Sequence, residues 1–394
     1  MTLDSLYALK KTGEYSDPKR ASDVIPVVYG DWTENSGNFP VVPCPCVNDT
    51  LHVYALSAGS LLTAANGNTF RFWDEDGDEI ASSAFSVTPS IDYESNGTIA
   101  IVTFTADYGD VTGQYQGKVD PGGTLITNPI DVFEDIVGGA SALHRTSFAK
   151  ARALATTLGY TCAGAIVSEH QVKTWLNNLA ASFLMDWYTD ADQKIKVRLD
   201  SSNLAGLEPA FVLEERHTSR VEVFQYATNI QNQVPVYYAP SYAKADRRFR
   251  EGVNANYLKY DSGATYRDAD SSRRYGVHDQ PVYTFDWTRN TATVNTIQQR
   301  IVDKFAHPVN LIQWPEVTKQ AMQAEKGDFG VYANSLRINS DGDRMTARYV
   351  QLLEKNVPLI GGGLGLYLRE TNIPYVTDLV YWDGTRTLGD GGTW

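Results

Sequence analysis

Three cysteines and six histidines in 394 residues leave little material for a metal centre and none for a disulfide framework. Cys44 and Cys46 form a Cys-x-Cys inside FPVVPCPCVND, a strand-like run whose prolines point to a sheet edge. Cys162, in GYTCAGAI, is the third thiol. A zinc site wants four ligands, so these read as buried or edge thiols, with no metal expected. His52, His144, His170, His217, His278 and His307 are scattered, with no His-x-His or HExxH spacing. Long apolar runs are missing too. Nothing approaches the roughly 20 residues of a membrane span, and MTLDSLYALKKTGEYSDPKR lacks a signal-peptide core. The expectation is synthesis in the cytoplasm, with no transmembrane segment. Positive charge is also short: 34 Lys and Arg stand against 47 Asp and Glu, a net charge of −13. Nonspecific nucleic-acid binding is disfavoured from the outset.

Catalytic motifs are equally scarce. No serine has a G-x-S-x-G setting. GGGLG at 361–365 has no strand–turn–helix context and reads as a linker, not a dinucleotide loop. A catalytic acid pair for glycoside hydrolysis leaves no local signature and stays open. No catalytic, cofactor-binding or metal-ligating residue is nominated, and no cofactor is expected. The reading is that of a protein that is not an enzyme.

What the chain does have is aromatic alternation. There are 23 tyrosines and 8 tryptophans, many in runs such as PVVYG, LHVYAL and PVYTFDW. These suit half-buried strands and protein interfaces. At 42% hydrophobic and 21% charged residues the chain is globular and long enough for several cores. In FRFWDEDGDEI, Asp74, Asp76 and Asp78 alternate around a glycine. Taking Gly77 as the glycine of a calcium loop puts Phe72 and Ser83 at the end ligand positions, so the spacing fails. Asp76-Gly77 fits a hairpin turn instead. Similar punctuation recurs at Asp190 to Gln193 and Asp341-Gly342.

The pattern divides the chain into an N-terminal arm (1–26), an N-terminal β domain (27–120), a helical α/β region (121–210), a second β-barrel-like domain (211–355) and a C-terminal arm (356–394). In the helical region Asn128 is the expected N-cap, Pro129 the first helical residue and Gly138 the stop. A second helix runs from Ser147 to Gly159. A third opens with Ser168 and Gln171 at capping-box spacing and carries a stripe of Val172, Trp175, Leu176, Leu179 and Phe183, read as a core face. The polar stretch 238–275, which includes KADRRFRE, reads as a long inserted loop facing a partner. A helix follows from about Thr291 to His307, and a shorter one is expected to start at Trp314-Pro315. GDFGVYANSLRINSDGDRMTARYVQLLEK reads as a strand pair.

An ordered series adds a resemblance. GQYQGKVDPGGTLITNPIDVFEDIVGG, LGYTCAGAIVSEHQVKTWLNNLAASFLMDWYTDADQKIKVRL, RVEVFQYAT, DADSSRRYGVHDQPVYTFDWTRNTATVNTIQQRIVDKFAHP and GDFGVYANS follow one another over residues 115–355. Together they resemble the tail hub proteins of long-tailed bacteriophages, also called baseplate hub or tail-tip proteins. The order carries the likeness: an Asn-Pro helix start, a Ser-x-x-x-Tyr-Gly stretch (Ser271 to Gly276) before a helix, and a Gly-Asp strand start (Gly327, Asp328). IPVVYGDW in the N-terminal part fits more loosely.

The resemblance implies an α+β, β-rich fold with two tail-tube-like β-barrel domains and a helix-containing region between them. It implies a homotrimer that joins the hexameric tail tube, or a distal tail ring, to a central spike or fibre and receptor-binding proteins. DNA passes through such a ring without being specifically bound, and the protein resides in the virion. The alternatives are a carbohydrate- or receptor-binding tail protein, expected to be all-β, and an envelope-degrading hydrolase, expected to carry an inserted catalytic domain.

Overall fold

A computed structural model of the chain describes residues 24–33, 41–93, 97–190, 192–199, 209–214, 222–226, 230–242, 257–317, 324, 327–333, 348–356, 364–374, 380–381 and 386–387. The fold is α+β and β-rich, with open sheets among these residues. The expected turn at 341–343, the glycine run 361–363, KADRRFRE and most of both arms lie outside the described residues. Two compact units emerge, neither continuous in sequence. The first draws on Met1–Leu199, Pro235–Ser262 and Pro281–Ile297, and the second on Asp200–Val234, Gly263–Gln280 and Gln298–Trp394.

In the first unit two four-stranded antiparallel sheets share one core. One runs, in spatial order, Val42–Cys44, Val111–Gln114, Arg71–Trp73, Glu79–Ile80; the other runs Cys46–Asn48, Val53–Ala58, Thr98–Phe104, Phe85–Asp92. Period-two alternation brings Val42, Cys44, Phe72 and Val111 from the first sheet into one cluster with Cys46, Tyr54, Leu56 and Val102 from the second. Phe72 sits at its middle, edge-on to Phe85 at 4.8 Å and to Phe104 at 5.4 Å, the preferred aromatic geometry. The chain changes sheets at Pro45, between two edge strands. Pro43 and Pro45 therefore fall where a missing N–H costs no interior ladder bond, as the sequence predicts.

The acid-rich segment at 74–78 is a hairpin turn, and its geometry is repeated. Asp74 N–H donates to Asp78 C=O, Gly77 N–H donates to Asp74 C=O, and the Asp74 carboxylate accepts the Asp78 N–H at 2.8 Å. Asp190 makes the same three bonds with Gln193 and Lys194, between the paired strands Met185–Thr189 and Ile195–Leu199. Asp120 makes them with Gly123 and Thr124. In each turn the residue before the closing position is left-handed: Gly77 at φ 83°, Gly123 at φ 83° and Gln193 at φ 60°. Aspartate is required at the first position because its carboxylate satisfies a backbone donor that the tight turn leaves unpaired.

Helix α1 (Pro129–Val137) begins and ends as the sequence dictates. The Asn128 side chain accepts the Ile130 N–H, Pro129 occupies N1, and Gly138 stops the helix at φ 68°. Its buried face comprises Ile130, Val132, Phe133, Ile136 and Val137. Helix α2 (Arg145–Thr157) starts two residues before the expected Ser147, because His144 caps it by accepting the Ser147 N–H. Helix α3 (Val172–Phe183) buries the whole predicted stripe. The expected capping box does not form: Gln171 is the N-cap and makes no side-chain cap bond, because the helix starts at the first buried apolar residue, Val172, and leaves Ser168 outside. Strand Val27–Tyr29 pairs antiparallel with Gly164–Ile166. A Cβ on Gly164 would lie 2.5 Å from the Trp287 ring, so only glycine lets this strand close on the indole.

The stretch expected to be a long loop contains regular structure. Tyr257–Asp261 pairs antiparallel with Val236–Pro240, which pairs parallel with Tyr283–Phe285, all in the first unit. Helix α4 (Ala269–Tyr275), in the second unit, begins at Asp268, whose side chain accepts the Ser271 N–H, and ends at Gly276. Alternating tyrosines within a polar composition hid the strand. Buried Asn232 fixes α4 by donating to Ser271 Oγ and Gly276 C=O and accepting the His278 N–H at 2.8 Å.

The second unit is built on a mixed six-stranded sheet, in the order Val212–Glu214, Phe329–Ala333, Arg348–Asn356, Leu364–Pro374, Val309–Val317, Glu222–Tyr226. The expected strand pair is its antiparallel Phe329–Ala333 and Arg348–Asn356, and Gly327-Asp328 precedes the first of these. Helix α5 (Thr291–Phe305), of which the residues through Ile297 belong to the first unit and the rest to the second, ends near the predicted point and buries Val294, Ile297 and Ile301. Two expectations are corrected. Trp314-Pro315 opens no helix: it lies within Val309–Val317, where the register shifts between Trp314 and Val317 and Pro315 occupies the irregularity. Residues 364–374 are no terminal arm. They form an interior strand, with Leu366 and Leu368 in the core beside Ile312, Val350 and Leu352. Glu370 is also buried and breaks the apolar alternation.

These turns yield a stability prediction. Backbone donation from Lys194, first, holds the Asp190 carboxyl below the usual carboxylate range. A depressed folded value contributes stability above the ordinary carboxyl range and loses it as pH falls through the folded value. Urea unfolding across pH should therefore show that Asp190→Ala destabilises the protein at neutral pH and flattens the acid limb. Gln193→Gly should stabilise it by about 0.5–1 kcal/mol by relieving the left-handed side chain.

Candidate functional site

Among the described residues, the first unit includes two concave regions of different character. The larger, about 760 Å³, is lined by α1 and the segment around Lys118 to Ile126. Its carboxylates are committed. Lys118 Nζ contacts both Asp135 oxygens at 2.7 and 2.8 Å, and Tyr29 donates its hydroxyl to the same group at 2.5 Å. Arg152 reaches Asp131 at 2.5 Å and Glu134 at 2.7 Å. Half-exposed pairs of this kind contribute little individually, about 0–1 kcal/mol. Their effect is to fix α1 against α2 and against the β core through Tyr29.

The smaller cavity, about 380 Å³, has a different character. Aromatic side chains from separate segments form it: His170 and Trp175 at α3, Tyr242 after strand Val236–Pro240, Tyr257 at the start of its strand, and Trp287. Trp175 lies 5.5 Å from the His170 ring and meets Trp287 edge-on at 6.2 Å. Tyr257 donates its hydroxyl to Asp286 Oδ1 at 2.5 Å, and Tyr242 donates to Ala165 C=O at 3.1 Å. Burial, and after it Asp286, pushes both phenols up from their ordinary values, so they stay protonated donors. Among the described residues, Trp175 Nε1, Trp287 Nε1 and Ser241 Oγ have no hydrogen-bond partner, but these atoms are buried behind the wall and expose no surface to the cavity. Asp286 is the one carboxylate of the described lining, and no lysine or arginine belongs to it.

The remaining chemistry-bearing residues do not converge. His144 caps α2, and His278 binds the Tyr275 carbonyl. His307 Nε2 lies 3.4 Å from Asp268, but the nearby Ser271 hydroxyl donates to Ala306 C=O and is not aligned as a nucleophile. His217 lies outside the described residues. Cys44, Cys46 and Cys162 are buried thiols outside any disulfide, and burial pushes the Cys44 and Cys162 thiols up, away from the thiolate form that metals and electrophiles require. In the second unit Glu370 is buried among Asn310, which donates to it at 2.6 Å, and Arg348, at 3.4 Å. This is an interior polar crossing of three strands. The sequence reading nominated no site residue; the small cavity was missed because its walls come from positions far apart in the chain.

No known family pattern matches the chain, and no curated protein matches it. Among solved structures, the tail protein from Neisseria meningitidis MC58 is similar at 11% identity and a TM-score of 0.33, covering 77% of this chain and 96% of that one. A score of that size does not define a common fold.

Trp175 is 9% exposed and packs on Trp287, so Trp175→Ala should cost about 3–5 kcal/mol, as truncation of a large core side chain does. Urea unfolding followed by circular dichroism measures this. An unchanged midpoint would mean that the α3 stripe is a partner face, not core.

Proposed function

We propose that this chain is a structural protein of a bacteriophage virion, the homotrimeric hub of a tail tip or baseplate. In this reading two tube-like β domains, 27–120 and the one beginning at 211, flank the helical region. Three subunits then offer six similar faces to the hexameric tail tube or a distal ring. The opposite side of the ring carries a central spike or fibre and receptor-binding proteins, and DNA leaves through the centre.

What supports the reading is the order of the segments that resemble those of hub proteins, together with where they fall. Asn128-Pro129 opens α1, Ser271–Gly276 lies on the capped α4 ahead of α5, and Gly327-Asp328 leads into strand Phe329–Ala333. Each segment thus sits at an element boundary, where capping and turn chemistry constrain residue type. Net charge of −13 supports a conduit that repels the phosphate backbone passing through it. Helices α1 to α3 weigh against an all-β receptor-binding protein.

Native mass spectrometry or mass photometry of the chain produced with its neighbouring tail proteins tests the proposal. Complexes containing three copies are expected. A population that stays monomeric in their presence would overturn it.

A further inference from the structure

We propose that the 380 Å³ cavity bordered by Trp175, Trp287, Tyr257 and Asp286 is a binding subsite for a neutral oligosaccharide, entered along Tyr260 and Tyr237. The approach is a track of rings on the three-stranded sheet. Tyr260, 42% exposed, lies 4.8 Å from Tyr237, and Tyr237 lies 6.1 Å from Tyr257, which reaches the cavity wall. Tyrosine and tryptophan present an apolar face with a polar edge, the pairing that a pyranose ring, with C–H faces and an equatorial rim of hydroxyls, complements.

The polar groups select among ligand classes. An anion is disfavoured, because Asp286 faces the cavity and the described lining offers no cation. A quaternary or primary ammonium group would suit the rings and Asp286. It would, however, leave unmatched the neutral donors and acceptors of Ser168, His170, Thr174 and Asn178 in the same lining. A polyol supplies both needs, its oxygens accepting from donors and its hydroxyls donating to Asp286. A single carboxylate in the lining supports binding without hydrolysis, which takes an acid pair. The site is independent of the hub assignment: a trimeric hub with an empty cavity and a sugar-binding monomer are both distinguishable outcomes.

Saturation-transfer NMR on the full chain, with maltotriose, cellotriose and triacetylchitotriose as probes and tetramethylammonium as the competing class, tests the inference. At least one trisaccharide should receive saturation through its ring C–H protons. Asp286→Asn, which keeps shape, should weaken it about tenfold, the loss of one charge-assisted hydrogen bond. The surface substitution Tyr260→Ala should weaken the trisaccharide severalfold while leaving the corresponding monosaccharide unchanged. Absence of transfer from all three sugars, binding of tetramethylammonium alone, or sugar binding indifferent to both substitutions would each overturn the proposal.

Discussion

Where an apolar core also buries tyrosine and tryptophan, the polar end of a ring favours a partner, and in the first unit several such bonds tie its elements together. Tyr115 must donate to Leu56 C=O across the two sheets, Tyr54 sits against Asp107 and Gly109, and Trp32 donates to Tyr29 C=O. Tyr29 in turn reaches Asp135 on α1, which Lys118 neutralises. Each bond contributes a modest net amount, about 0.5–1.5 kcal/mol, but leaving its partner unpaired costs more. Hydrogen bonding thus specifies register where apolar area alone would tolerate slippage.

Local chemistry was legible in the sequence wherever one residue type satisfies one backbone need. Asn128, Pro129 and Gly138 marked α1 because N-cap, N1 and stop positions each admit few residues. The turns at Asp74 and Asp190 were readable for the same reason, and the third copy at Asp120 carries an equally strong turn signal in Pro-Gly-Gly, although its loop is not acidic. Pro43 and Pro45 signalled edges correctly. Errors arose where tertiary pairing overrode a local signal. Pro315 looked like a helix start but occupies a strand irregularity, and Glu370 disguised an interior strand because its charge is answered by Asn310 and Arg348 from neighbouring strands. The cavity was out of reach in principle: His170, Ser241 and Asp286 share no sequence pattern and meet only through the fold.

The acidic excess and the aromatic richness play different parts in this account. Much of the described charge lies in turns and in half-exposed pairs such as Arg71–Glu79 and Arg152–Asp131, which stabilise little but keep surfaces polar. Aromatics build the interior and, at Tyr237, Tyr257 and Tyr260, continue onto a sheet face. A tail hub would use both properties, the charge toward DNA and the rings toward neighbours or glycans.

Symmetry-resolved electron microscopy of the intact particle tests the central claim most directly. The account predicts three copies of this chain around the tail axis at the end of the tube. Density for the chain repeating along the tube, residing in the head, or absent from the particle would contradict it.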